Sequence, residues 1–395
     1  MAFSNWSGLV VSDPAEVREV ATVDDVRRAV GDAAANGWVI RTAGTKHSHS
    51  PVLSNDGGLV LLTDGLAGPP RIVHVDDSGE GALAAIAAGT KLAAVGEPLW
   101  DAGWSLSNQG DVDVQSIAGL IGTGVHGTGR ELRSISDSVV DAEIVTASGD
   151  VVHAADDAEV LEAARLNLGA LGVVTEVTLA VVPAYHLHER HWRAPMEEVM
   201  ESLDDLIAAT RHFEFFWYPV DDLAHAKSLQ PVDGPTDPMD GTRGEYVDRA
   251  YRTFPSVRSN QHTEMEYSVP AEAGPTCFGE IRELMRTDFP DIVWPAEYRT
   301  VAADEGIISP ANGRATVTIS VHQGSGLPYE DFFAACERIF RSHDGRPHWG
   351  KFHNLTADDM AEIYGAGWTR FDAVQRRLDP DGTFLNGHLR SLLRP

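Results

Sequence analysis

The chain has 395 residues, 43% of them hydrophobic and 23% charged, which places it among globular proteins too long for one ordinary compact domain. Lys and Arg number 31 against 59 Asp and Glu, and the net charge of −28 repels polyanions, which disfavours nucleic acid and anionic membranes as partners. Two cysteines, Cys277 and Cys336, are too few for a disulfide scaffold or a Cys-rich zinc site. No apolar run reaches the roughly 18 residues of a membrane span, and MAFSNWSGLVVSDPAEVREV lacks the charged-then-apolar pattern of a secretory leader. The expected compartment is the cytoplasm.

In chain order, residues 13–36 read as a capped helix closed by Gly37, and WVIRTAG as a short strand running into glycine. GGLVLLTDGL, RIVHVDD and ALAAIAAGTKLAAVGEPLWDAG continue an alternation of strands and helices. Residues 138–152 read as two strands joined by a Ser-Gly-Asp turn, 156–168 as a helix, and 169–182 as a strand. Beyond Pro183 the texture changes. HFEFFWYPV and RATVTISVHQ alternate like antiparallel strands with one wet face. MEEVMESLDDLIAATR and YEDFFAACERIFRSH read as amphipathic helices. Residues 231–246 read as a long loop, and WTRFDAVQRRLDPDGTF as a helix stopped by Asp-Pro-Asp-Gly.

Two glycine-rich segments stand out, Arg41-Thr-Ala-Gly-Thr-Lys-His-Ser-His-Ser50 and Gly119-Leu-Ile-Gly-Thr-Gly-Val-His-Gly-Thr-Gly129. Small residues let backbone N–H groups form concave anion sites, as a diphosphate requires. Neither segment is a G-x-G-x-x-G opening a helix or a P-loop, so a nicotinamide Rossmann domain is not indicated. Taken singly, each is equally a tight turn.

GTKHS, NQGDVDVQSIAGLIGTGVHGTG and NLGALGVVTEVTL resemble the FAD domain of the vanillyl-alcohol oxidase superfamily, the PCMH type. AEYRTV, RPHWGKFH and LDPDGTFLNGHL resemble its aldonolactone oxidase and alditol oxidase branch. The resemblance implies an α+β fold: a two-subdomain FAD-binding domain over 1–182, a substrate domain with an antiparallel sheet flanked by helices over 183–345, and a segment, 346–395, returning to the flavin.

It also implies roles. FAD would be held by Arg41, Gly44, Thr45, Lys46, His47, Ser48, Gly110, Asp111, Ser116, Gly119, Gly122, Thr123, Gly124, His126, Gly127, Gly172 and Val174. His47 would carry a covalent bond to the flavin; from the residues alone it is equally a hydrogen-bonding loop group. Glu297 and Arg299, at i and i+2 on a strand, point to one face, and the resemblance places them over the flavin beside the substrate. Lys351 would reach the reacting hydroxyl, and Gly110 would leave room for dioxygen. His322 points either into this cavity or outward. His186, His188 and His191 alternate along a strand, and no metal site is read from them or from His47 and His49. The expected reaction is oxidation of a sugar-derived alcohol or aldonolactone, with hydride passing to flavin N5 and oxygen giving hydrogen peroxide. An alditol oxidase, or a tailoring oxidase or dehydrogenase acting on a larger polar substrate, is the alternative. A sugar-binding module without redox chemistry fits the motifs less well. The partners are a small polar substrate and dioxygen, in a monomer or small homo-oligomer.

Overall fold

The computed structural model describes residues 3–233, 244–256 and 260–394. Strand β1 (Glu16–Glu19), helix α1 (Val23–Asn36), β2 (Ile40–Ala43) and β3 (Leu59–Leu62) open the fold, and the strands pair in parallel in the order β1-β3-β2. The helix begins at Val23 and not at Asp13. Thr22 and Asp25 form a capping box that fixes its start, while the residues before it alternate in exposure and join the sheet edge. Gly37 ends it in the left-handed region, φ 65°.

A second, antiparallel sheet contains β4 (Arg71–Val75), β5 (Ala82–Ala87), β6 (Val139–Val145), β7 (Val151–His153) and β8 (Val173–Pro183), in the order β7-β6-β8-β5-β4. Helix α2 (Ile117–Thr123) lies between β5 and β6 in sequence and packs on β8. The helix expected over 156–168 is confined to Ala158–Ala164, because Leu168 and Gly169 take positive φ values of 56° and 61° and turn the chain back.

After Pro183 the chain enters an eight-stranded antiparallel sheet. Its strands are β9 (His186–Pro195), β10 (His212–Tyr218), β11 (Leu223–Val232), β12 (Glu245–Arg249), β13 (His262–Pro270), β14 (Ala296–Val301), β15 (Thr316–Gly324) and β16 (Arg346–Pro347). They run in the order β12-β9-β11-β10-β14-β15-β13-β16. The segment 196–209 breaks into two short helices at Ser202. The loop expected over 231–246 begins and ends inside β11 and β12, and its residues 234–243 lie outside the described residues.

Helices α3 (Gly274–Thr287) and α4 (Glu330–Ser342) cover one face of this sheet. Phe278 packs edge-on to Phe215 and Tyr298, and Phe340 stacks on Tyr267. That face is apolar, as alternation requires. The opposite face carries Glu214, Glu297, Arg299, His322, Glu264 and Glu266, and it is buried too. The expectation of one wet face is therefore corrected: the polar side is covered by the N-terminal half of the chain, and the alternation marks a lined site, not solvent.

The C-terminus closes on the beginning. After helix α5 (Ala366–Leu378), the Ile40 N–H donates to the Thr383 carbonyl, and Phe384 joins the core of the parallel sheet. Arg41 ties this junction. Its buried guanidinium donates to the carbonyls of Val52, Leu168, Gly169 and Phe384, drawn from three distant segments. Arg41→Met would leave these acceptors buried and unpaired, each at a cost of about 1–3 kcal/mol. Denaturant unfolding of that variant is expected to show a loss of about 3 kcal/mol or more; a change below about 1 kcal/mol would contradict this role.

Candidate active site

Two clefts of about 820 Å³ each meet end to end, sharing His47, Ser48, Gln115 and Thr123 in their walls. The first is built by the turn after β2, the N-terminal part of α2 and the start of β8. Gly44 lies so close to Ser116 that a Cβ would stand 2.3 Å from its Oγ. Gly172 has φ 146° and approaches the Val145 carbonyl, where a Cβ would fall at 2.5 Å. Lys46 adopts φ 63°. This curls the turn so that the backbone N–H groups of Thr45, Lys46, His47 and Ser48 are taken by no protein acceptor among the described residues. Successive unengaged N–H groups around a concavity form an anion cradle.

Of the residues expected to hold the flavin, Arg41, Gly44, Thr45, Lys46, His47, Ser48, Ser116, Gly119, Gly122, Thr123, Gly172 and Val174 line this cleft. Arg41 does so with its donors already spent on backbone carbonyls. Gly110, Asp111 and His126 line the second cleft instead. Gly124 and Gly127 line neither. Gly124 is the left-handed cap of α2, and Gly127 packs against Asn108 and Gln109. A Cβ on Gly110 would meet the His126 carbonyl at 3.1 Å and Val125 at 3.2 Å, so the glycine faces protein rather than an open channel.

The second cleft lies over the polar face of the eight-stranded sheet. Registers Glu214↔Arg299, Glu297↔Ser320, Glu266↔Ser320 and Glu264↔His322 set these side chains in adjacent rows. Arg299 is the hub. Its Nε donates to Glu214 at 2.9 Å, while Nη2 stands 2.5 Å from Glu297 and 3.1 Å from Asp111. Nη2 makes charge contacts there but no hydrogen bond, which leaves it a buried donor on a residue of the cleft wall. Burial works against the guanidinium charge, but Glu297, Glu214 and Asp111 override it and raise its pKa well above the ordinary value. Lys227 stands 3.5 Å from Glu214 and 3.7 Å from Asp111.

On the far side, Glu264 pairs with Lys351, and Glu266 with His126 at 2.7 Å. Burial pushes Glu264 up, yet Lys351 and His322 hold it well below the usual carboxylate range. Burial likewise opposes charge on His126, and Glu266 reverses that effect, so His126 titrates above its ordinary value. Five carboxylates, Asp111, Glu214, Glu264, Glu266 and Glu297, thus face three fixed cations, Lys227, Arg299 and Lys351.

His47 sits where the clefts meet and stacks on Trp6, ring centroids 5.0 Å apart. Burial, aided by Lys351, lowers its pKa to about 4, so it is a neutral imidazole. The structure turns His322 inward, its Nδ1 on the Pro295 carbonyl. Trp6, His49, His262, Glu264, Glu266 and His348 also line this cleft. Sequence reasoning did not assign them to the site. The period-2 pattern His262-x-Glu264-x-Glu266, beside Glu297-x-Arg299, carried the signal for three of them. Beyond Asp111, His262 and His322 a vestibule of about 1320 Å³ opens past Phe216, Tyr218, His225 and Trp294.

Comparison with known proteins gives the family and the fold. An FAD-binding-domain profile matches residues 14–155, and that gives the class, an FAD-binding oxidoreductase. A D-arabinono-1,4-lactone oxidase profile matches residues 177–245 and 238–392. L-gulono-1,4-lactone dehydrogenase of Mycobacterium tuberculosis is 34% identical over 100% of this chain and 99% of its own. L-gulonolactone oxidase of Bos taurus is 27% identical over 99% and 98%, and an alditol oxidase of a Streptomyces species 27% over 99% of each. The crystal structure of cholesterol oxidase from B. sterolicum, 18% identical, has the same fold at a TM-score of 0.83, covering 99% of this chain and 96% of that one. The chain belongs to the D-arabinono-1,4-lactone oxidase family.

Buried neutral imidazoles give the fold a pH dependence. His47, His348, His353 and His388 are each lowered to about 4, in every case chiefly by burial. Unfolded, they take protons near pH 6.5. Between pH 6.5 and 4 the unfolded chain therefore binds more protons, and stability falls as pH falls through that window. Thermal unfolding is expected to move to lower temperature between pH 7 and 5; an unchanged midpoint would contradict the burial of these rings in neutral form.

Proposed function

We propose that this protein oxidises a secondary or primary carbinol of a small polyhydroxylated substrate, an aldonolactone or alditol, with FAD as hydride acceptor and dioxygen as the final oxidant. The observation that carries the reading is the Arg299 hub: a buried guanidinium, with one donor atom lacking a hydrogen-bond partner, in the wall of a cleft that adjoins the anion cradle. The cradle at residues 45–48 fits the FAD diphosphate, and the junction at His47 fits the flavin ring.

Bound FAD supplies the electron sink. The chain supplies position and charge. Arg299 Nη2 and the Lys351 ammonium donate to the substrate oxygen and stabilise its alkoxide character. Glu297, fixed against Arg299, accepts the hydroxyl proton. Asp111 and Glu214 hold Arg299 in place. Neutral His47 presents a nitrogen lone pair, which suits covalent attachment of the flavin.

The vestibule past Phe216, Tyr218 and Trp294 favours a second reading, in which the substrate extends beyond one sugar ring. A panel of aldonolactones, alditols and larger glycosylated analogues, assayed for peroxide and for dye reduction, separates the two. Exclusive use of the large members would favour the second; dye reduction without peroxide would make the enzyme a dehydrogenase. Glu297→Gln and Arg299→Ala are each expected to lower turnover about 100-fold or more with flavin retained; unchanged turnover in both would remove the assignment. After acid precipitation the flavin is expected in the wild-type pellet and in the supernatant of His47→Ala.

A further inference from the structure

The Arg299 hub does not use the group on the other side of the cleft, where His49, His262 and Glu264 converge. Their ligand-type atoms all lie within 4.8 Å of one another, and every side chain is buried. His49 Nε2 is 3.8 Å and His262 Nε2 3.7 Å from Glu264 Oε2; His322 Nε2 is 3.6 Å from the other carboxylate oxygen. These separations are too long for hydrogen bonds. They are close to the spacing of ligand atoms around one ion, about 3.3–3.6 Å when each stands roughly 2.1 Å from a tetrahedral divalent metal.

The tautomers point the same way. His262 Nδ1 lies 3.0 Å from the Asn260 carbonyl and His322 Nδ1 2.8 Å from the Pro295 carbonyl. A carbonyl only accepts, so in each ring Nδ1 carries the proton. In the neutral ring the Nε2 lone pair is then turned toward Glu264. Imidazoles that ligate metals are held in this way, by the opposite nitrogen on a carbonyl. His49 Nδ1 is buried without a hydrogen-bond partner among the described residues, so no carbonyl fixes the tautomer of that ring. The site also has the charge to receive an ion, since the cleft wall carries four carboxylates, Asp111, Glu264, Glu266 and Glu297, against two fixed cations, Arg299 and Lys351.

We propose that His49, His262 and Glu264 form a binding site for a borderline divalent metal of the zinc class, with His322 as a neighbouring fourth donor. Two imidazoles and one carboxylate leave at least one position open to the cleft. On the functional reading above, that position takes a substrate hydroxyl or lactone oxygen and fixes the substrate opposite Arg299. Lys351 contacts the same Glu264 oxygen. Its ammonium competes with the metal, so the two are alternative counter-charges for one carboxylate.

The test uses tag-free, flavin-loaded protein stripped with chelator and dialysed. Zinc chloride titration by calorimetry, with elemental analysis after gel filtration, is expected to give one ion per chain. Cobalt(II) is expected to show the intense visible bands of a four-coordinate N/O site. His262→Gln and Glu264→Gln should each weaken zinc binding at least 10-fold, and Lys351→Met should strengthen it; an unaltered flavin spectrum verifies the fold of each variant. Absence of stoichiometric zinc, or equal affinity in wild type, His262→Gln and His49→Gln, overturns the proposal. Because metal content is read without turnover, that failure leaves the flavin oxidation reading standing. Conversely, zinc bound as described to a protein that oxidises no lactone or alditol sinks that reading and not the metal site.

Discussion

Burying charge on one face of a sheet is the constraint on which this structure depends. A single unpaired ion in a protein interior costs several kcal/mol. Here five carboxylates and three fixed cations lie in and beside one cleft, and they are stable together because the strand registers interleave them. Arg299 is the clearest case. Glu214 approaches it from the neighbouring strand, Glu297 from two residues away on its own strand, and Asp111 from the N-terminal half of the chain. The sheet cannot shift by one residue without turning this face into the apolar core beneath.

The two ends of the cleft are electrostatic opposites. At the end built by the turn after Gly44 the protein offers backbone N–H groups, a neutral His47 and the cations Arg41 and Lys46, with no carboxylate among the lining residues. At the substrate end it offers dense, matched charge. Burial of His47 lowers its pKa, whereas pairing with Glu266 raises that of His126. The same residue type thus titrates below its ordinary value where the two clefts meet and above it where a carboxylate is its partner. Such separation suits chemistry in which a hydride leaves toward one end while a proton is handled at the other.

Much of this was legible in the sequence, for a physical reason. Glycines that permit close backbone approach, such as Gly44 and Gly172, are local requirements, and so is the i, i+2 spacing of Glu297 and Arg299. What failed was any feature set by distant packing. HFEFFWYPV and RATVTISVHQ alternate as strands do, but alternation cannot tell solvent from a lined cavity. The polar face was therefore read as wet, and His262, Glu264 and Glu266 went unassigned. Gly124 and Gly127 were expected at the flavin from the family resemblance; in the structure one caps a helix and the other packs on Asn108 and Gln109. The helix starts after Thr22, where Thr22 and Asp25 cap each other reciprocally, rather than at the earlier Asp13-Pro14.

The central claim is that Arg299 works because its neighbours hold it, and Glu214 touches Arg299 while standing back from the flavin turn. The most direct measurement is anaerobic flavin bleaching on mixing with an aldonolactone or alditol that the wild type oxidises, in the wild type and in Glu214→Gln. The expected result is an intact resting flavin spectrum with reduction slowed at least 10-fold in the variant. Equal reduction rates would show that the charge network does not set the chemistry.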